Sequence, residues 1–119
     1  MMKLSEVKEI LNAEVISGAD NMEIEITGGA ASDLMSVLLG RKPKEGALLL
    51  TGLTSIQAIN TSVLAGMAAV VFVRGKKPDD AIVSHARTHK IPILSTAYNM
   101  FLSCGRLYSN GLKSITWLP

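Results

Sequence analysis

Few side chains in this sequence have the type and spacing that chemistry needs. His85 and His89 stand four residues apart, the spacing that puts two imidazoles on one helix face where they could grip a metal ion. The residues between them are Ala86, Arg87 and Thr88, so the glutamate that serves as base in helical zinc hydrolases is missing. Both histidines fall off the apolar side that carries Ile82, Val83 and Ala86, which predicts solvated imidazoles near a helix C-terminus. Cys104 is the sole cysteine and has no acid–base partner nearby in sequence, so it reads as a small buried hydrophobe. Met35, Met67 and Met100 read as core filler. Asp33 follows Gly28-Gly29-Ala30-Ala31-Ser32 and is the carboxylate expected at a cleft, or equally a helix-capping group in a first turn. No second carboxylate accompanies it, which weakens acid–base and magnesium chemistry. The chain has no Gly-x-x-x-x-Gly-Lys-Ser/Thr loop, no Gly-x-Gly-x-x-Gly turn and no nucleophile elbow. The expectation is no catalytic residue, no metal site and no cofactor.

The elements that position these residues follow from periodicity. Leu4, Val7, Ile10 and Leu11 predict a short helix over 4–12. Val15–Ser17 reads as a short strand, residues 18–21 as a turn, and the alternating Glu23–Thr27 as a half-buried strand that Gly28-Gly29 ends. Ser32 is expected to cap a helix with Asp33 in its first turn, closed by Gly40. Ala47–Leu50, Ala69–Val73 and Ile91–Leu94 are apolar runs, each followed by a helical pattern. Helices are expected at about 55–65 with Ile56, Ile59 and Val63 inward, from Pro78 onward, and at about 98–108. The last should bury Met100, Phe101, Cys104, Leu107 and Tyr108. Ser114–Leu118 is a final edge strand or a docking tail. Apolar runs alternating with helices predict an α/β fold of three layers, with a mostly parallel central sheet and helices on both faces. Too few copies and no asparagine ladder exclude a leucine-rich solenoid.

In such sheets ligands bind beyond the carboxyl ends of the strands. Those ends are Thr51-Gly52-Leu53-Thr54, Arg74-Gly75-Lys76 and Ser95-Thr96, each leading into a helix N-terminus that suits anions. The candidate ligand-binding residues are therefore Asp33, Thr51, Gly52, Thr54, Arg74, Gly75, Lys76 and Thr96. The competing explanation is that the glycines and hydroxyls simply build turns and caps.

Composition bounds the partners. The chain has 119 residues, enough for one domain with a real core, 48% of them hydrophobic and 18% charged. The low charged fraction favours self-association, and a net charge of +2 does not imply nucleic acid. Two basic clusters, Arg41-Lys42-Lys44 and Arg74-Lys76-Lys77, lie at opposite ends of a strand of ~17–20 Å and make no continuous stripe. The N-terminus carries Lys3, Glu6, Lys8 and Glu9 and reads as an amphipathic helix, not a signal peptide. No apolar run reaches the ~20 residues of a membrane span. A cytoplasmic protein that binds neither membrane nor nucleic acid is expected.

The sequence Gly46-Ala-Leu-Leu-Leu-Thr-Gly, then Ile56-Gln57-Ala58, then Ala69-Val-Val-Phe-Val-Arg-Gly, then Ile91-Pro-Ile-Leu-Ser-Thr resembles the DRTGG domain. Asp33-Leu34-Met35-Ser36 and the stretch from Cys104-Gly105 to Asn110-Gly111 fit short stand-alone members from anaerobic bacteria. The N-terminal domain of HPr kinase/phosphorylase is similar. The resemblance runs from residue 3 to about 112. It implies a three-layer α/β domain and a non-catalytic regulatory role, often as a homodimer and exerted on a partner protein; the small anionic ligand is expected from the rim itself and not from the resemblance. The naming signature, Gly-Asp-Arg-Thr/Ser, would follow the strand ending at Thr51. Gly52-Leu53-Thr54-Ser55 stands there instead, which leaves Arg74 as the nearest cation on that rim.

Overall fold

Period-two alternation in three apolar strands sorts the chain into layers. The computed structural model describes residues 1–40 and 43–115. In chain order it contains β1 (Met2–Lys3), α1 (Leu4–Ile10), β2 (Glu14–Ser17), β3 (Glu25–Ile26), β4 (Gly29–Ala31) and α2 (Met35–Gly40). These are followed by β5 (Leu48–Thr51), α3 (Ile56–Leu64), β6 (Ala69–Phe72), α4 (Asp80–Thr88), β7 (Ile93–Ser95) and α5 (Met100–Ser109). Five strands form one sheet in the order β2-β7-β6-β5-β4. All its pairings are parallel except that of β2 with β7. β1 and β3 form a separate antiparallel ribbon.

Alternate residues of each central strand enter opposite cores. Leu48, Leu50, Val71 and Leu94 pack with Leu4, Val7 and Leu107 on the side of α1 and α5. Leu49, Val70, Phe72 and Ile93 pack with Met35, Leu38, Ile59, Ile82 and Ala86 on the side of α2, α3 and α4. The architecture is the expected three-layer α/β fold. Phe72 is fully buried, and burial of such a side chain contributes about 1.5–3 kcal/mol. No helix among the described residues is long and apolar enough to cross a membrane.

Several local expectations are corrected. The strand before Gly28-Gly29 does end ahead of them, at Ile26, but Gly29 also opens a strand that the sequence did not announce, because Gly29–Ala31 pairs with Leu48–Leu50 as an edge of the main sheet. Only Glu25 and Ile26 of the expected 23–27 strand are paired. The Ser32 hydroxyl accepts the Leu34 N–H at 3.0 Å, a turn within its own segment, and α2 begins only at Met35. Asp79, rather than Pro78, sets the start of α4, since its carboxylate accepts the Ile82 N–H at 3.0 Å. In α3 the small residues Ala58 and Ser62 face inward, and the Ser62 hydroxyl donates to the Ala58 carbonyl at 2.8 Å. Ile56 and Val63 are left at the margin of that stripe and are exposed. In α5 the stripe Ser103–Leu107 faces the sheet, and Phe101, about 200° away around the helix, is 89% exposed. Tyr108 is also exposed. Of the tail, Ser114 bridges Gly29 in parallel. The Ile115 N–H follows it, donating to the Gly29 carbonyl at 3.0 Å. Residues 116–118 of the expected tail, and Arg41 and Lys42 of the first basic cluster, lie outside the described residues.

Candidate functional site

The carboxyl ends of β4, β5 and β6 bring three of the expected residues around one glycine. Asp33 leaves β4 and turns toward β5. Its Oδ1 accepts the Gly52 N–H at 2.6 Å and the Thr51 hydroxyl at 3.1 Å. Asp33 therefore ties the loop after β5 and does not stabilise the first turn of α2, which holds no acidic residue. The Thr51 hydroxyl also accepts the Leu53 N–H at 3.1 Å, so this buried side chain is committed within the protein.

Arg74 approaches the same glycine from β6. A Cβ at Gly52 would run into the Arg74 guanidinium, so glycine lets the guanidinium lie against the backbone and a larger residue would push it aside. Arg74 holds φ +63° and Gly75 φ +69°. With the Lys76 N–H donating to the Val73 carbonyl at 3.2 Å, these are the central angles of a type I′ turn, which favours glycine or asparagine where arginine stands. Two bonds to the loop after β7 brace the turn: the Arg74 N–H reaches the Tyr98 carbonyl at 2.8 Å and the Gly75 N–H reaches the Thr96 carbonyl at 2.8 Å. Ser95 adds a third, its hydroxyl donating to the Lys76 carbonyl at 2.8 Å. These backbone donors are spent inside the protein, so what the rim presents outward is side chains. Among the described residues Arg74 joins no ion pair, whereas Lys77 pairs with Glu14 at 2.9 Å.

The loops after β6 and β7 lead to helices on opposite faces of the sheet, which is where an α/β sheet opens a crevice. Here the three cross-loop bonds close it. Thr96 lies beneath, buried, its hydroxyl donating to the Leu11 carbonyl at 2.7 Å and accepting the Tyr98 N–H at 3.2 Å. It supports the rim from below. Thr54 is half-buried just before Ser55, whose hydroxyl caps α3 by accepting the Ala58 N–H at 3.3 Å. Arg74, Gly75, Lys76 and Asp33 are exposed.

The other reactive side chains lie elsewhere. His85 is half-buried, with Nε2 2.6 Å from the Asn60 Oδ1 of α3, so it joins two helices and is not simply solvated as expected. The His89 ring packs edge-on to it at 4.7 Å. No group of three or more potential metal ligands occurs among the described residues. Cys104 is half-buried against the core, and burial raises its thiol above the ordinary value. It lines an apolar pocket of about 170 Å³ between β4 and α5, together with Leu50, Leu107 and Tyr108.

The sequence profile of the DRTGG domain matches residues 6–109. The chain belongs to the DRTGG domain family. A solved structure with the same fold is the CBS and DRTGG domains of the regulatory region of Clostridium perfringens pyrophosphatase, complexed with its activator, diadenosine tetraphosphate. The TM-score is 0.74 at 14% identity, over 88% of this chain and 45% of that one. This DRTGG chain thus spans less than half of that regulatory region. No curated protein matches it. Reasoning from sequence missed the Tyr98 carbonyl that braces Arg74, because a backbone acceptor leaves no mark on residue type. The signal for the Gly52–Arg74 contact was present as a glycine at one strand end and an arginine at the next.

Proposed function

We propose that this DRTGG domain is a non-catalytic regulatory module that senses a small anion through Arg74, at the carboxyl ends of β5 and β6. The observation that carries the reading is the conformation of Arg74. A non-glycine residue held at positive φ costs on the order of 1–3 kcal/mol and persists where its surroundings over-determine it, often at ligand sites. The guanidinium so displayed has no carboxylate partner among the described residues, and arginine suits phosphoryl and carboxyl groups. A regulatory role is supported by the fold shared with a pyrophosphatase regulatory region. Melting curves of the full chain with inorganic phosphate, pyrophosphate and adenine nucleotides test the reading. Binding raises the melting temperature by mass action, and Arg74→Ala abolishes the rise. Indifference to every anion, or an unchanged response in Arg74→Ala, overturns it.

A second reading is a homodimeric adaptor that engages a partner protein, with no small ligand. Exposed Leu34, Val37 and Leu39 on or beside α2, with Leu64 of α3, favour it. Light scattering across concentration separates the two, since a strict monomer removes the second.

A further inference from the structure

We propose that the ligand of this rim carries a hydroxyl beside its phosphoryl group, and that Asp33 is the residue that selects for it. The inference rests on the reading of Arg74 as the anion contact. A carboxylate is acceptor-only and offers about four lone-pair sites on two oxygens. Asp33 Oδ1 is taken by Gly52 and Thr51. Its Oδ2 has no hydrogen-bond partner among the described residues, and the side chain is exposed. The Arg74 guanidinium lies against the same glycine, at the position its Cβ would take. Opposite charges thus meet at a single glycine, yet they form no ion pair with each other.

This arrangement discriminates between ligands. A bare anion gains from Arg74 but is repelled by Asp33. An anion with a neighbouring hydroxyl gives its oxygens to Arg74 and its proton to Asp33 Oδ2, so the repelling group becomes a bonding one. The chemistry is that of a phosphate monoester on a polyol, as in a sugar phosphate or a nucleotide.

Calorimetric titration of the full chain with glycerol 3-phosphate and with propyl phosphate isolates the hydroxyls, since both are phosphate monoesters of a three-carbon chain. The wild-type protein is expected to bind glycerol 3-phosphate at least ten-fold more tightly. Asp33→Asn keeps the oxygen that accepts from Gly52 and Thr51 and replaces the free one with an amide donor. In that variant the preference falls below two-fold, while propyl phosphate binds as tightly as before or more tightly. Equal affinities in the wild-type protein, with both lost in Arg74→Ala, overturn the role of Asp33 and leave the anion reading standing. Failure of both esters to bind overturns both. A ten-fold preference surviving in Asp33→Asn removes Asp33 from the argument. If that variant does not fold, the wild-type pair of titrations still decides whether a hydroxyl is read. Ribose 5-phosphate and adenosine 5′-monophosphate distinguish the two sources: tighter binding of the nucleotide assigns it, and equal binding assigns the sugar phosphate.

Discussion

Arg74 and Lys90 are both cationic, both in the left-handed region, at φ +63° and +57°, and at opposite ends of the sheet. Lys90 has a local explanation. It follows the last turn of α4, its N–H donating to the Arg87 carbonyl at 3.1 Å, while the Ile91 N–H returns to Ala86 at 2.9 Å. That is a Schellman ending, which requires positive φ. Asn12 ends α1 in the same way, with the Ala13 N–H returning to Lys8 at 2.9 Å. Arg74 ends no helix. Its turn lies between a strand and a helix, and tertiary bonds to Tyr98 and Thr96 brace it. The difference teaches that positive φ by itself marks nothing. It points to a site only when no helix end accounts for it and the side chain it displays is left without a partner.

The comparison can be broken by paired substitutions. The largest expected effect is on anion affinity: Arg74→Gly lowers it at least ten-fold by calorimetry, whereas Lys90→Gly leaves it unchanged. Next is Thr96→Val, which strands the buried Leu11 carbonyl and lowers unfolding free energy in denaturant titration by about 1–3 kcal/mol. Glycine at either left-handed position relieves the backbone, so Arg74→Gly and Lys90→Gly each change stability by no more than about 1 kcal/mol, in the stabilising direction. For Arg74 that gain accompanies loss of binding, and for Lys90 it does not. The smallest effect concerns Cys104. Its raised thiol keeps it protonated and slow toward iodoacetamide at neutral pH compared with a free cysteine. The sign follows: its contribution to stability is full below the ordinary thiol value and is lost as pH rises through the raised one. Cys104→Ala should therefore slightly flatten the alkaline limb of the stability curve.

The central strands were legible because Leu48–Leu50, Ala69–Phe72 and Ile93–Leu94 are apolar on both faces, as a doubly covered parallel sheet demands. Gly29–Ala31 was not, since glycine and alanine have low strand propensity and the strand exists only through its neighbours. The rim was legible in location, because strand ends and helix starts fix it. The partners of Asp33 were not, because capping its own helix and tying a neighbouring loop use the same acceptor chemistry. The conformation of Arg74 left no trace, since nothing in residue type announces an arginine where glycine is favoured. For α5, Phe101 is apolar but sits across the helix from Ser103, Tyr108 lies at the exposed margin beside Leu107, and the buried hydroxyl of Ser103 misdirected the choice of face.

The pairing of Gly29 with Ser114 reaches beyond the site. β4 is the outer parallel strand, and a row of unpaired amides and carbonyls there would be a template for another chain to add to. The Gly29 N–H instead donates to the Lys113 carbonyl at 2.8 Å, and the Ile115 N–H returns to Gly29 at 3.0 Å. At the opposite border, β2 is antiparallel and its register shifts between Val15 and Ser17. One border is thus interrupted at Gly29 by the protein's own later residues and the other is kinked out of line, two devices that guard a β-sheet against edge-to-edge aggregation.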